Sequence, residues 1–271
     1  MVVPSAYPPI RPSAGFTLLA VLWLITALTV LAGAGIAGAR IGSQTTRNRI
    51  LLARAEWARE ACGEILLARY AEHQQVRAID SVDLGRGTWC GVRVEDPAAR
   101  IDLNTASRGA LERLLSVVSH QSSDIHLIIA ARGRGPIYDL QQVGLDSALT
   151  SRLPPLVTTR GIGVIDVNAA PREVLALLPG MTEEAIEVVL ARRAIGRPPE
   201  SVDALAALLS KSGRAALYAD YADFVRQAVF APPQLVATVE GGVGGTALQA
   251  RGILTLVPVG DRLAVIRREE E

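Results

Sequence analysis

Two cysteines, three histidines and two Asp-x-Asn pairs are the side chains here whose types and spacing could do chemistry. Cys62 and Cys90 are too few for a four-thiolate zinc site or a disulfide-dense scaffold, which leaves one disulfide or two free thiols. His120 and His126 flank Asp124, but their spacing does not set two ligands on one helical face, so they read as solvated loop residues. Asp102 with Asn104, and Asp166 with Asn168, begin like a calcium loop without the later glycine and final glutamate of an EF-hand, and turn and cap chemistry accounts for them. There is no H-E-x-x-H, no G-x-S-x-G and no Cys with His in a protease-like context, so no enzyme is expected. Two glycine-rich stretches mimic nucleotide motifs. Gly33, Gly35 and Gly38 spell G-x-G-x-x-G inside an apolar run, where the required strand and distal acid are missing. The stretch Gly241–Gly245 lacks a following Lys-Ser/Thr pair and reads as a flexible loop.

The elements that must position these residues follow from composition and pattern. The 271 residues are 49% hydrophobic, 20% charged and 4% aromatic, with 28 basic against 27 acidic side chains, which is folding material and not disorder. A formal net charge of +1 carries no basic excess of the kind that marks nucleic-acid binding. Only Lys211 among the basic residues is a lysine, so arginine number alone carries no weight.

Phe16 to Ala39 is an uncharged run of 24 residues. As a helix it would span about 36 Å, against a bilayer core of about 30 Å. A buried soluble helix of that length would keep a polar face, and a cleavable secretory signal has a shorter apolar region of about 7–15 residues. The run therefore reads as a retained membrane helix, with Gly38 and Gly42 as a close-packing G-x-x-x-G pair. No proline occurs between Pro12 and Pro97, so helix continues to about His73, a rod of roughly 85 Å. In its second half Leu51, Leu52, Ala55, Trp57, Ala58, Ala61, Cys62, Ile65 and Leu66 form an apolar stripe for packing on a globular domain, with Arg54, Arg59, Glu60 and Glu64 off it.

Further on, an internal repeat is visible. RIDLNTASRGALERLLS from Arg100 aligns with VIDVNAAPREVLALLPG from Val164 at an offset of 64, each unit reading helix, turn, helix, polar loop, helix. A turn-forming Asn precedes the first helix of each, and Pro171 suits a first-turn position. Two copies predict one compact all-helical unit. Before it, SVDLGRGTWCGVRVEDP alternates as a strand around Trp89, Val92 and Val94. After it, Leu235–Glu240, Ala250–Pro258 and Arg262–Arg267 are rich in branched residues and bounded by glycine turns. Strands on both sides of a helical block, sharing one sheet, make the block an insertion. Cys62 on the helix and Cys90 on the first strand would meet where helix and sheet pack. A bond is expected over the alternative of two buried thiols; it would imply an oxidising compartment, close a loop of about 27 residues and stabilise by roughly 3 kcal/mol.

The leader MVVPSAYPPIRPSAG, with Arg11 and a terminal Gly15 followed by Phe16 and Thr17, resembles that of a type IV prepilin or pseudopilin. The resemblance implies cleavage by prepilin peptidase between Gly15 and Phe16 and methylation of the new terminus. Most of that family carry a glutamate at the fifth mature position, where this chain has Ala20; its absence resembles the K class of minor pseudopilins in type II secretion. Arg40, Arg47, Arg49 and Arg54 after the run outnumber Arg11 before it, so positive-inside counting favours the opposite orientation, and the leader signature is given precedence. The implied fold is α+β: a pilin-like long helix on an antiparallel sheet, with a large inserted all-α domain of helix-hairpin-helix or SAM-like type. The expected divisions are a leader 1–15, helix and first strands 16–98, insertion 99–230 and closing strands 231–271. The implied role is that of an inner-membrane, single-pass protein with its C-terminal domain in the periplasm, assembling with I and J minor pseudopilins at the pseudopilus tip. Structural calcium is compatible with the resemblance, without ligands to name. The repeat also resembles helix-hairpin-helix units of DNA-uptake proteins, the alternative being a membrane-anchored DNA receptor. Those units read L-P-G-I-G, whereas Leu178, Pro179, Gly180 and Met181 are followed by Thr182, and Glu183, Glu184 and Glu187 open the next helix where a phosphate needs positive charge. Nucleic acid is not expected as a partner.

Overall fold

The structure, a computed structural model, describes residues 14–72, 77–118 and 124–270. Helix α1 runs from Ala14 to Ala71. Its part up to Arg54 stands as a unit of its own in which Leu22, Trp23, Leu31 and their neighbours are exposed, and from Leu18 on the helix is long and apolar enough to cross a membrane. Thr26 and Thr29 donate their hydroxyls to the carbonyls of Leu22 and Ile25 at 2.8 and 2.6 Å, so these polar groups are paired within the helix, as a hydrocarbon surround demands. Among the described residues, no heavy atom other than the adjoining helix backbone lies within 4 Å of a Cβ placed at Gly33, Gly35, Gly38 or Gly42.

From Ala55 on, the chain forms a second unit. Strands β1 (Ala78–Gly85) and β2 (Thr88–Glu95) form a hairpin, with Arg86 at φ 55° in the turn. This corrects the single strand expected around Trp89, and it puts Cys90 on the second strand. Trp89 also falls on the opposite face from Val92 and Val94, because side chains alternate along a strand.

The inserted region follows. Strand β3 (Ile101–Asp102), helices α2 (Arg108–Val118), α3 (Asp124–Arg134) and α4 (Ser147–Arg152) and strand β4 (Val157–Thr158) make the first copy. Strand β5 (Ile165–Asp166), helices α5 (Arg172–Leu175), α6 (Glu183–Ala194), α7 (Val202–Leu208), α8 (Lys211–Ala219) and α9 (Tyr221–Gln227) and strand β6 (Ala228–Val229) make the second. The all-helical expectation is corrected in one respect: each copy closes on a two-residue parallel pair, β3 with β4 and β5 with β6. Pro171 stands one residue before α5, as its cap and not inside its first turn. The insertion has its own core, with Leu103, Leu111, Leu114, Ile128, Val167, Leu175, Ile186, Leu205, Leu217 and Phe224 fully or almost fully buried. Burying each such side chain contributes roughly 1.5–3 kcal/mol.

Strands β7 (Leu235–Val243), β8 (Gln249–Val259) and β9 (Arg262–Glu270) complete a five-stranded antiparallel sheet of order β1-β2-β7-β8-β9. Because β2 pairs with β7, Val92 opposite Val239 and Cys90 opposite Gly241, the helical block is inserted between neighbours of one sheet. The long helix on an antiparallel sheet with a helical insertion is the architecture the sequence implied. Gly241, Gly242 and Val243 lie inside β7, a correction to the flexible loop expected there.

The second half of α1 packs on this sheet through Ala55, Ala58, Cys62 and Leu66, all 0–1% exposed and spaced by three and four residues. Trp57 and Leu52 were expected in that stripe but are exposed, at 57% and 42%. Arg59 was expected off it, yet its side chain is only 14% exposed, lies over Gly252 and pairs with Glu270 at 3.0 Å. The stripe is narrower than composition implied because a small-residue face lets the helix backbone itself approach. A Cβ at Gly241 would come within 2.3 Å of the Ala55 carbonyl oxygen and 2.4 Å of the Arg59 nitrogen.

Candidate functional site

Of the residues with chemical potential, the structure brings together the two cysteines first. Cys62 and Cys90 are joined by a disulfide with Cα atoms 5.9 Å apart, both fully buried between helix and sheet. Gly15 and Phe16 fall in the first turn of α1, and Ala20 lies exposed on its second. Residues 1–13 with Arg11, and also His73 and His120, lie outside the described residues. Asp124 and His126, expected in a loop, are on α3, where Asp124 is buried in the first turn and His126 is exposed. Among the described residues no three His, Cys, Asp or Glu side chains converge as a metal site.

The Asp-x-Asn pairs hold the repeats together. In the first copy Asp102 Oδ1 accepts the Asn104 N–H at 3.0 Å, closing an Asx turn, and Asn104 Nδ2 donates to the carbonyls of Ile137 and Thr159 at 2.9 and 3.1 Å. In the second, Asp166 Oδ1 accepts from Asn168 N at 2.7 Å, and Asn168 Nδ2 donates to the carbonyls of Pro199 and Phe230 at 2.7 and 2.8 Å. An arginine from the second helix of each hairpin completes the bracket. Arg132 donates to the carbonyls of Leu103 and Ala106, and Arg193 to those of Val167 and Ala170. Burial pulls both guanidinium pKa values below their ordinary value, opposed by Asp102 and Asp166 respectively. These arginines were not foreseen; their alignment with each other in the two copies was the available signal. Each bracket ties a turn, a helix and a closing strand by side-chain bonds to backbone carbonyls that burial would otherwise leave unpaired.

The turn that resembles a phosphate loop is occupied by the protein itself. Gly180 adopts φ +71°, and a Cβ there would come 3.1 Å from Leu217 Cα and 3.2 Å from the carbonyl oxygens of Ala216 and Leu217. The turn is pressed against α8, where a phosphate would have to enter. Thr182 caps α6 by accepting from Ala185 N at 3.3 Å, and Glu184 reaches across to the Ser210 N–H and hydroxyl at 2.6 and 2.8 Å, capping α8. Glu183 and Glu187 both pair with Arg172. The acidic start of α6 is therefore engaged within the insertion.

No protein-family model matches the chain, and no curated protein matches it in sequence. In structure it is similar to a chain of the GspK-GspI-GspJ complex from the type 2 secretion system of enterotoxigenic Escherichia coli. The TM-score is 0.53 over 86% of this chain and 99% of that chain, at 14% identity. At that identity the likeness is one of fold.

Proposed function

We propose that this chain is a K-class minor pseudopilin of a type II secretion system, a structural assembly subunit without catalytic chemistry. The observation that carries the reading is the sheet: strands from both sides of a helical insertion pair directly, with half of a long N-terminal helix laid over them, and a chain of the GspK-GspI-GspJ complex has a similar fold. Residues 1–15 are a leader removed by prepilin peptidase at Gly15–Phe16. Residues 16–98 supply anchor, helix and first strands, 99–230 the insertion and 231–271 the closing strands. The apolar part of α1 spans the inner membrane once, and the disulfide suits an oxidising periplasm for the rest.

Its partners in this reading are the I and J minor pseudopilins, and its place is the pseudopilus tip. Ala20 fits that place: a subunit with no neighbour above it has no need of the buried acid that pairs with a neighbour's amino terminus. Co-expression of the full chain with tagged I and J subunits tests this. A ternary complex that survives detergent purification is expected; recovery of the chain with neither partner contradicts it.

A further inference from the structure

The end of β2 and the start of the second repeat meet through two carboxyls. Asp96 caps the helical turn Pro97–Ala99, its Oδ1 accepting the Ala98 N–H at 2.8 Å. Its Oδ2 is buried and meets no N–H or O–H donor among the described residues. The turn that Asp96 caps packs against β5, and the carboxyl of Asp166 on β5 is the side-chain hydrogen-bond partner of Asp96. Two buried carboxylates cannot sit so close with both ionised, whereas a single proton between them turns one into a donor.

The first repeat shows which bond is being replaced. There Asp102, the counterpart of Asp166, receives the Thr105 hydroxyl on Oδ2 at 2.6 Å. The position aligned with Thr105 in the second copy is Ala169, which has no hydroxyl. Asp96 comes from outside the repeat to the same kind of carboxyl, and it can donate only when protonated. We propose that Asp96 and Asp166 share one proton and form a pH-sensitive latch between the sheet and the second repeat, closed while the proton is held and weakened when it leaves.

Burial first, then the hydrogen bond and charge of Asp166, push Asp96 up to about 7, against the Ala98 N–H and Arg100, which pull it down. Burial also raises Asp166, opposed by its bond from the Asn168 N–H, by the hydrogen bond from Asp96 and by Arg193 on α6. Both arginines are committed elsewhere: Arg100 pairs with Glu95 and donates to the Pro154 carbonyl, and Arg193 holds the second bracket. Because the folded value lies above the unfolded one, the folded chain binds the extra proton from about pH 4 to about pH 7. The stabilisation is complete below that window and lost as pH rises through it.

The test is thermal unfolding of the full chain in detergent micelles between about pH 5 and about pH 8, for the native sequence, Asp96→Asn and Asp166→Asn. Either amide supplies a donor at every pH. The native Tm is expected to fall by several degrees relative to both variants as pH rises, and hydrogen-exchange protection of Val167–Ala170, corrected for intrinsic rate, to fall with it. Parallel curves for all three chains overturn the proposal. A native Tm at high pH that is restored by millimolar calcium, with Asp96→Asn unresponsive, also overturns it, since a metal and not a proton would then join the pair.

Discussion

In the first repeat Asn104 uses its whole side chain: Nδ2 donates twice, and Oδ1 accepts the Ile137 N–H at 2.8 Å. In the second, Asn168 makes the same two donations, but its Oδ1 is buried without a donor among the described residues. The cause is a single residue, since the carbonyl that stands where Ile137 stands belongs to Pro199, which has no N–H to give. The second copy has likewise lost the hydroxyl of Thr105 and draws on Asp96 instead. The first Asp-x-Asn turn finds its partners within its own copy, whereas the second draws on Asp96, one residue past the end of β2. The copies thus differ in where their polar groups find partners, while their backbones close on equivalent parallel pairs.

Neither repeat contains a covalent cross-link, whereas the helix and sheet are pinned by Cys62–Cys90. Replacing both cysteines by serine is expected to give the largest loss, about 3 kcal/mol in denaturant unfolding, with hydrogen-exchange protection falling in β2 and β7 and holding in α2 and α6. Within the insertion, Asn104→Ala should cost about 2–3 kcal/mol and Asn168→Ala about 1–2, because the second side chain already carries an unpaired oxygen whose loss is a relief. Equal losses would break the comparison.

Two substitutions sharpen it by making the second copy resemble the first. Ala169→Thr introduces the missing hydroxyl at an exposed position and should stabilise by about 1 kcal/mol near pH 8 and much less near pH 5, read as a flatter pH profile of Tm. Pro199→Ala restores an N–H worth about 1 kcal/mol, largely offset by the roughly 0.4–1 kcal/mol of unfolded-state freedom that proline had removed. The decisive readout there is slow exchange of the new amide at position 199; fast exchange would show that Asn168 Oδ1 does not accept it.

Much of this was legible in residue order. The offset of the repeat, the strands after it and the turn role of Asp102 and Asp166 follow from local pattern, which needs no partner to interpret. The rest depended on what approaches from elsewhere in the chain. Gly241 and Gly242 read as a loop because glycine usually marks one; they are strand residues because the α1 backbone and the Trp89 ring occupy the space of their side chains. Arg59 reads as a solvent-facing charge until Gly252 is placed beneath it and Glu270 beside it. The β1–β2 turn was missed because a short Gly-Arg-Gly interrupts an otherwise continuous alternation, with Arg86 itself left-handed. Asp96 shares no motif with the repeat it serves, so only the fold could bring it to Asp166.

The proposed function has this chain enter the membrane as a prepilin and mature into a minor pseudopilin. Intact mass and amino-terminal sequencing of the chain recovered from membranes, with and without prepilin peptidase, address it most directly. A chain beginning at methylated Phe16 is expected only when the peptidase is present. A chain retaining Met1 in both strains would contradict it.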